Sequence, residues 1–338
     1  MPRSQVEAGR RTGIPALRRV DHFAFTVADL HAAIEFFADV LGGQLCYIEG
    51  PVQDPDGDWM TRKLGVHASA TAQVAMVRLG PATNLELFQY TAPGQRTAPP
   101  RLGDPGGRRL SLRVDALDAV AALLRTRPDV RVDADEPVPG RAGDAPGRRV
   151  ALTTSWGMLL ELRGTTGDPA TGHAPPAGPA EVRGADHLAL TVTDLAASVR
   201  FFTDVIGAAP LPADGPREDG DTARTRLRLG PTDRVELRAH TGNGTPPAPR
   251  NSDVGGSHIA FHTDDVDAAA AYLAAQPGVH VMGTPETITG GPIEGNRWVY
   301  FTTPIGVQME VLCMPDGRLP YERRTRARRV SSHSFSWA

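Results

Sequence analysis

The sequence predicts an α+β protein built from four related βαβββ modules, and two internal repeats carry this prediction. The segment that begins at Asp21 returns at Asp186, at an offset of 165 residues. A second segment begins at Arg109 and returns at His258, at an offset of 149 residues. Self-similarity at a fixed spacing marks repeated structural units. The chain of 338 residues therefore consists of modules A, B, A′ and B′, in that order.

Module A shows why each element is expected. Residues 20–27 alternate apolar and polar side chains, which indicates a strand. Asp29 is a favourable N-cap for a helix that runs through Val40 with apolar residues at helical spacing and ends at Gly42. Three further strands are expected, at residues 44–48, 72–79 and 84–90. Region 50–70, rich in Asp and Gly, is expected to form a loop over a site.

The remaining modules repeat this order. Module B covers residues 108–164, with a helix from Leu117 to Thr126 and a last strand from Met158 to Arg163. Modules A′ and B′ cover residues 183–240 and 257–314.

Composition separates the modules from the rest of the chain. Residues 1–17 are expected to be a flexible arm, residues 165–181 a linker rich in Pro and Gly, and residues 317–338 a basic tail. Sequential pairing is the simpler topology. It joins modules A and B into a first domain at residues 18–164, and modules A′ and B′ into a second domain at residues 182–316.

The charge and hydropathy of the chain exclude several functional classes. A net charge of −3 argues against a general nucleic-acid binder, which needs a basic face for phosphates. No apolar run approaches the length of a membrane span, and the first twenty residues lack the apolar stretch of a signal peptide. We therefore expect a cytoplasmic protein whose partner is a small-molecule substrate, with no nucleic acid and no membrane. A homodimer is compatible with the sequence.

Each module carries a His or Arg early in its first strand and a Glu in its last strand. These pairs are His22 with Glu86, Arg109 with Glu161, His187 with Glu236, and His258 with Glu310. Each glutamate lies within an apolar strand, where an unpaired carboxylate is costly. Two imidazoles and two carboxylates suit one divalent ion (Ni, Co, Mn, Fe or Zn) and leave coordination positions open for substrate oxygens.

The βαβββ modules, the Asp-His at the first strand and the Glu in the last strand resemble the vicinal oxygen chelate superfamily. That superfamily includes glyoxalase I, methylmalonyl-CoA epimerase, extradiol dioxygenases and fosfomycin resistance proteins. The resemblance covers residues 18–316. It implies that the modules pair into two cup-shaped mixed sheets, with one divalent metal ion bound inside a cup.

The pairing of the modules decides which residues the resemblance assigns to the metal. Sequential pairing implies a site in the second half of the chain, formed by His187, Glu236, His258 and Glu310. The first half would then have lost its metal, because Arg109 stands where a His is expected and a guanidinium cannot ligate. Crosswise pairing of module A with module B′ implies the alternative set of His22, Glu86, His258 and Glu310.

The ligand set is similar to that of glyoxalases and epimerases. It implies a metal-dependent epimerase of a small polyoxygenated hydroxy-ketone, acting through an enediolate, with Glu310 or Glu236 transferring the proton. The end of the chain, at residues 296–300 and 315–317, resembles cyclitol epimerases that act on 2-epi-5-epi-valiolone in natural-product biosynthesis.

Two alternative functions stay open. One is an Fe(II) extradiol-type dioxygenase that uses His187, His258 and Glu310. The other is a non-enzymatic protein of binding or resistance, which would retain its small molecule after metal removal.

Three further features have two interpretations each. His262 shares a strand face with His258 and is either an acid/base or a core residue. Trp298 and Tyr300 alternate along one strand and either line the cup or pack in the core. The turn-rich loop at residues 290–295 is a candidate lid.

Overall fold

The computed structural model describes most of the chain, at residues 13–138, 147–164, 182–212, 223–241, 247–323 and 331–337. The expected arm, linker and basic tail lie wholly or partly outside these described residues, at positions 1–12, 165–181, 324–330 and 338.

All four modules contain the expected initial strand and helix. Module A consists of β1 (Leu17–Thr26), α1 (Leu30–Glu35), β2 (Gln44–Val52), α2 (Trp59–Leu64), β3 (Thr71–Leu79) and β4 (Thr83–Thr91). Module B consists of β5 (Arg108–Val114), α3 (Leu117–Leu124), β6 (Val130–Val138), β7 (Gly147–Thr154) and β8 (Leu159–Gly164). Module A′ consists of β9 (Val182–Val192), α4 (Leu195–Arg200), β10 (Ala209–Pro210), β11 (Arg224–Leu229) and β12 (Asp233–Ala239). Module B′ consists of β13 (Ser257–Thr263), α5 (Val266–Ala274), β14 (His280–Val281), β15 (Glu286–Thr287), β16 (Arg297–Thr302) and β17 (Gln308–Cys313).

The helices begin as the sequence predicts. The carboxylate of Asp29 accepts a hydrogen bond from the backbone N–H of Ala32 at 3.0 Å, so it is the N-cap of α1. A π-helical turn at Phe36–Val40 then extends α1 to the predicted end. Helices are short throughout the described part of the chain, and none there has the length and apolar character needed to cross a membrane.

The modules pair crosswise into two mixed sheets. The strand order is β14-β16-β17-β13-β1-β4-β3-β2 in the first sheet, where β15 also pairs with β16. In the second sheet it is β10-β11-β12-β9-β5-β8-β7-β6. Strand β1 runs antiparallel to β13, and β5 runs antiparallel to β9. The first sheet therefore contains modules A and B′, and the second contains modules B and A′.

This topology corrects the sequential domains expected at residues 18–164 and 182–316. The α+β class and the two mixed sheets of four paired modules are confirmed. What differs is the partner of each initial strand, because β1 and β9 each bind a strand from the other half of the chain.

Strand alternation gives the first sheet two different faces. Phe23 and Phe25 of β1 are buried in a large apolar core that includes residues of both sheets and of the helices. The intervening Ala24 points to the opposite face, into a second apolar cluster that includes Phe88 and Tyr300. We call this opposite face of the first sheet the first cup.

Helix α2 covers part of the first cup. Its side chains Met60 and Leu64 are buried in the apolar cluster of the cup. Lys63 Nζ lies 2.8 Å from Glu286 Oε1, which ties α2 to module B′. Region 50–70 therefore lies over the cup, and it contains a helix that the sequence analysis did not predict.

The segment after β17 also packs against module A. The rings of Tyr321 and Tyr47 lie 5.1 Å apart, and Tyr321 is buried. The Glu322 carboxylate forms an ion pair with the guanidinium of buried Arg78. Leu319 and Tyr321 of the expected basic tail are thus packed in the apolar cluster of the first cup.

Candidate metal centre

The first sheet directs four side chains toward one point: His22, Glu86, His258 and Glu310. Ala24 of β1 lies directly beside both Glu86 and His258 in the strand register. Ala260 of β13 lies directly beside both His22 and Glu310. Directly opposed residues project to the same face of a sheet. The four polar side chains therefore surround two alanines, whose small methyl groups leave space between them.

The donor atoms of these side chains lie at coordination distances. The Nε2 atoms of His22 and His258 are 3.2 Å apart. Glu86 Oε2 lies 3.1 Å from His22 Nε2 and 3.5 Å from His258 Nε2. Glu310 Oε2 lies 3.4 Å from both Nε2 atoms. Ligands about 2.1 Å from one ion are separated by about 3.0 Å in an octahedron and about 3.4 Å in a tetrahedron. The four atoms therefore fit a single divalent cation.

Asp21 orients the ring of His22. A shift of register between Val20 and His22 forms a bulge in β1 at Asp21. Asp21 Oδ1 lies 2.9 Å from His22 Nδ1, and both side chains are buried. A carboxylate that accepts a hydrogen bond from Nδ1 leaves Nε2 free to bind a metal. No role for Asp21 follows from the sequence alone, because a bulge cannot be read from strand alternation.

Charge is concentrated at this centre. Burial disfavours the imidazolium of His22, but the Glu86, Asp21 and Glu310 carboxylates outweigh it and raise the pKa of His22 well above its usual value. Burial likewise acts to raise the pKa of Glu86, but His22 and His258 lower it to about 2. A proton on His22 thus offsets part of the negative charge of the carboxylates, and a bound cation would displace that proton.

Aromatic side chains form the wall beside the centre. Tyr300 Oη lies 3.3 Å from His258 Nε2, and the Trp298 ring packs edge-on against Tyr300 at 5.3 Å. Both residues are buried in the first cup, so they line it as well as pack in it. The buried hydroxyl of Tyr90 has no hydrogen-bond partner among the described residues. Burial raises the pKa of Tyr90 and of Tyr300, so both hydroxyls stay protonated and can donate to oxygen atoms of a ligand.

His262 has a structural contact. Its ring is fully buried, and Nε2 accepts a hydrogen bond from the backbone N–H of Met314 at 3.2 Å. This favours the core interpretation over the acid/base interpretation. The candidate lid at residues 290–295 lies near the covering tail, because Pro292 O accepts a hydrogen bond from the N–H of Tyr321 at 3.0 Å.

The second sheet holds the other repeat residues at the equivalent places. Ala189 of β9 lies directly beside Glu236 and Arg109. Ser111 of β5 lies directly beside His187 and Glu161. Arginine therefore occupies in this sheet the position that His258 occupies in the first sheet.

The glutamates of the second sheet bind arginines. Glu161 Oε2 lies 2.9 Å from Arg109 Nη2. Glu236 Oε2 lies 3.1 Å from Arg226 Nε, and Glu236 Oε1 lies 2.8 Å from Arg238 Nη1. These carboxylates are thus neutralised by guanidinium groups, which cannot ligate a metal.

The structure therefore does not bring together the set that sequential pairing implies. His187 and Glu236 lie in the second sheet, whereas His258 and Glu310 lie in the first. Glu236 therefore cannot transfer a proton beside Glu310, a role expected from the sequence, because the two residues lie in different sheets. The dioxygenase set with His187 is separated in the same way. The crosswise set with His22 and Glu86 is the one that converges.

Comparisons with known proteins bear on this fold and site. The model of the Glyoxalase/Bleomycin resistance protein/Dioxygenase superfamily matches residues 19–126 and 184–311. The chain is 33% identical over 316 residues to a 2-epi-5-epi-valiolone epimerase of Actinomyces sp, covering 94% of this chain and 90% of the relative.

Solved structures share the fold. Glyoxalase I of Zea mays has a TM-score of 0.59 at 17% identity, covering 87% of this chain and 92% of that one. A putative dioxygenase of Bacillus subtilis has a TM-score of 0.59 at 17% identity, covering 89% of this chain and 86% of that one. Identity at this level supports the fold alone. The resemblance inferred from the sequence motifs is confirmed.

Proposed function

The chain belongs to the Glyoxalase/Bleomycin resistance protein/Dioxygenase superfamily, and from that premise we propose that it is a metal-dependent epimerase of a small polyoxygenated hydroxy-ketone. The convergence of His22, Glu86, His258 and Glu310 in a buried cup carries this proposal. The similarity to a 2-epi-5-epi-valiolone epimerase supports a cyclitol or sugar-like substrate of that kind. A cytoplasmic location and a homodimer stay predictions.

The proposed cofactor is one divalent ion of Ni, Co, Mn, Fe or Zn. Its ligands would be the Nε2 atoms of His22 and His258 and one carboxylate oxygen each of Glu86 and Glu310. When bound, the ion would act as a Lewis acid on two adjacent substrate oxygens, which favours the enediolate that forms when the α-proton leaves.

Two carboxylates are available to move that proton. Glu310 on β17 and Glu86 on β4 lie on opposite sides of the central strands β13 and β1, which carry the two histidines. One carboxylate would take the proton from one face of the carbon, and the other would return a proton to the opposite face. This transfer inverts the carbon. Glu310 keeps its expected role, and Glu86 takes the role expected of Glu236.

The wall of the first cup would position the substrate and limit the access of water. The hydroxyls of Tyr90 and Tyr300 can donate hydrogen bonds to substrate oxygens. Phe88 and Trp298 supply apolar surface beside the reacting centre. A polyoxygenated ring with one apolar face would fit such a wall.

The proposal is tested with the metal-loaded protein and 2-epi-5-epi-valiolone in deuterated water. NMR should show a new epimer that carries deuterium at the inverted carbon. The absence of both deuterium exchange and a new epimer would count against the epimerase. Oxygen consumption with a catechol would instead indicate the dioxygenase alternative.

A further inference from the structure

The second sheet has a cup of its own, whose wall is made of arginines where the first cup has other residues. We call the face of the second sheet that carries Arg109 and Glu236 the second cup. Six residues of the first cup are Val74, Met76, Phe88, His258, Trp298 and Leu312. Their equivalents in the second cup are, in the same order, Arg224, Arg226, Arg238, Arg109, Arg149 and Arg163.

The strand registers support this correspondence. Met76 pairs with Glu86 in the first sheet, as Arg226 pairs with Glu236 in the second. Trp298 pairs with Leu312, and their equivalents Arg149 and Arg163 also pair with each other. The arginines therefore face the same way as the walls of the first cup.

The second cup has an excess of positive charge. Seven arginines lie within 4.0 Å of carboxylates there: Arg109, Arg113, Arg149, Arg163, Arg226, Arg234 and Arg238. Four carboxylates accept these contacts: Glu136, Glu161, Asp186 and Glu236. The ion pairs of the described residues thus set seven guanidinium groups against four carboxylates. Partly buried charges of one sign are costly unless an ion of opposite sign joins them.

Arg109 shows most directly where that anion belongs. Its side chain is only 14% exposed, and one of its nitrogens pairs with Glu161. Its Nε is buried and has no hydrogen-bond partner among the described residues. Burial, together with the charges of Arg149 and Arg238, lowers the pKa of Arg109 despite Glu161. A donor of this kind is satisfied by an acceptor oxygen of a ligand.

We propose that the second cup binds a small molecule through a phosphate group. Guanidinium groups bind phosphate oxygens in a bidentate manner. A phosphate dianion has more acceptor oxygens than a carboxylate, so several guanidinium groups can bind it at once. A phosphate monoester would add two negative charges to this set of guanidinium groups. The chain's net charge of −3 does not favour a polynucleotide, so the phosphate is assigned to a small molecule. This site is independent of the reaction in the first cup.

The proposal is tested by calorimetric titration of the full chain at constant ionic strength. The probes are inorganic phosphate, glycerol 3-phosphate and citrate. Saturable binding of one phosphate or one glycerol 3-phosphate per chain is expected, with weaker binding of citrate. Tighter binding of glycerol 3-phosphate than of phosphate would identify an ester as the ligand, and the reverse would identify free phosphate. The same binding is expected in His22→Ala, which removes a ligand of the proposed metal and so excludes phosphate bound to that ion.

Two substitutions should move the affinity in opposite directions. Arg238→Gln removes a charge-assisted contact, and phosphate should bind about 10- to 100-fold more weakly. Glu236→Gln releases Arg226 and Arg238 from their carboxylate, and phosphate should bind several-fold more tightly. If the arginines only replace an apolar core, Glu236→Gln would lower the thermal stability without any gain in affinity.

The control is Arg101→Gln, because Arg101 is 89% exposed and contacts only Asp104 among the carboxylates of the described residues. Its affinity for phosphate should equal that of the parent protein. The proposal is overturned if phosphate does not bind saturably at millimolar concentration, or if citrate binds more tightly than phosphate. It is also overturned if Arg101→Gln loses as much phosphate affinity as Arg238→Gln, or if His22→Ala loses phosphate affinity.

Discussion

At the residue scale, one position decides whether a cup can bring four metal ligands together. Both cups retain an Asp-His pair, with 2.9 Å between Asp21 and His22 and 2.7 Å between Asp186 and His187. The difference lies across the seam between modules, where His258 faces His22 in the first cup and Arg109 occupies the equivalent place in the second. A guanidinium at this place binds the neighbouring glutamate and leaves no set of four donors.

The Asp21 carboxylate should strengthen metal binding through His22. Asp21→Asn removes the charged acceptor at Nδ1, and the metal affinity should fall about 10- to 100-fold. Competition with a chromogenic chelator measures this change. Asp186→Asn is the matched control in the second cup and should leave the affinity unchanged. Equal losses in both variants would contradict the assignment of the site.

Glu86 should be required for proton transfer. Glu86→Gln retains an oxygen that can approach the metal but removes the base, so formation of the epimer should slow by about 10²- to 10⁴-fold. NMR of the substrate in deuterated water measures the rate. Metal content is measured on the same sample, so that loss of the base is separated from loss of the ion. Glu35→Gln, at a glutamate that is 59% exposed on α1, is the control. An unchanged rate of epimer formation in Glu86→Gln would exclude this role.

Glu236 should make the stability of the protein depend on pH. Burial acts to raise its pKa, but His187, Arg226 and Arg238 lower it from 4.5 to about 2. Since the folded pKa lies below the unfolded value, the carboxylate stabilises the fold above about pH 4.5, and this contribution is lost as the pH falls toward 2. Urea unfolding of Glu236→Gln should therefore show a smaller decrease across that window than the parent protein. Parallel decreases would show that Glu236 is not responsible.

At the element scale, α2 is fixed over the first cup by one carboxylate. Glu286 Oε2 accepts a hydrogen bond from Trp59 Nε1 at 2.9 Å, and Glu286 Oε1 lies 2.8 Å from Lys63 Nζ. Lys63 is buried in the contact, whereas Glu286 remains partly exposed. Glu286 on β15 thus links the cover from module A to the edge of module B′.

Removal of this link should loosen the cover without unfolding the sheet. Glu286→Gln should destabilise α2 by about 1 kcal/mol, because solvent at Glu286 screens the pair. Faster amide hydrogen exchange at residues 59–64 measures the effect. Asp267→Asn breaks the exposed pair with Arg297 and is the control, in which exchange in α2 should not change. Unchanged exchange in Glu286→Gln would show that the other contacts of α2 hold it without this carboxylate.

Most of the longer helices and strands could be predicted from the sequence. Alternation and caps placed β1, α1 and α3 within a few residues of their observed bounds. Helix α2 was missed, because its six residues follow a segment rich in Asp and Gly and depend on burial of Met60 in the cup. The two-residue strands β10, β14 and β15 were missed as well. Their pairing is set by tertiary contacts rather than by a local pattern.

At the scale of the whole molecule, the crosswise topology decides which ligands meet. Both pairings leave one complete set of two histidines and two glutamates, so ligand types alone could not decide between them. The polarity of the residues on the cup faces could have distinguished crosswise from sequential pairing. Met76 and Trp298 are apolar residues from modules A and B′, whereas Arg226 and Arg149 are their equivalents in modules A′ and B. Modules whose faces match in polarity share a cup.

The central claim is that one divalent ion is bound by residues from the first and last modules. Elemental analysis of the purified protein and of two matched variants tests it most directly. We predict about one metal ion per chain in the parent protein and in His187→Ala, and loss of that ion in His22→Ala. Loss of the metal in His187→Ala with retention in His22→Ala would contradict the account.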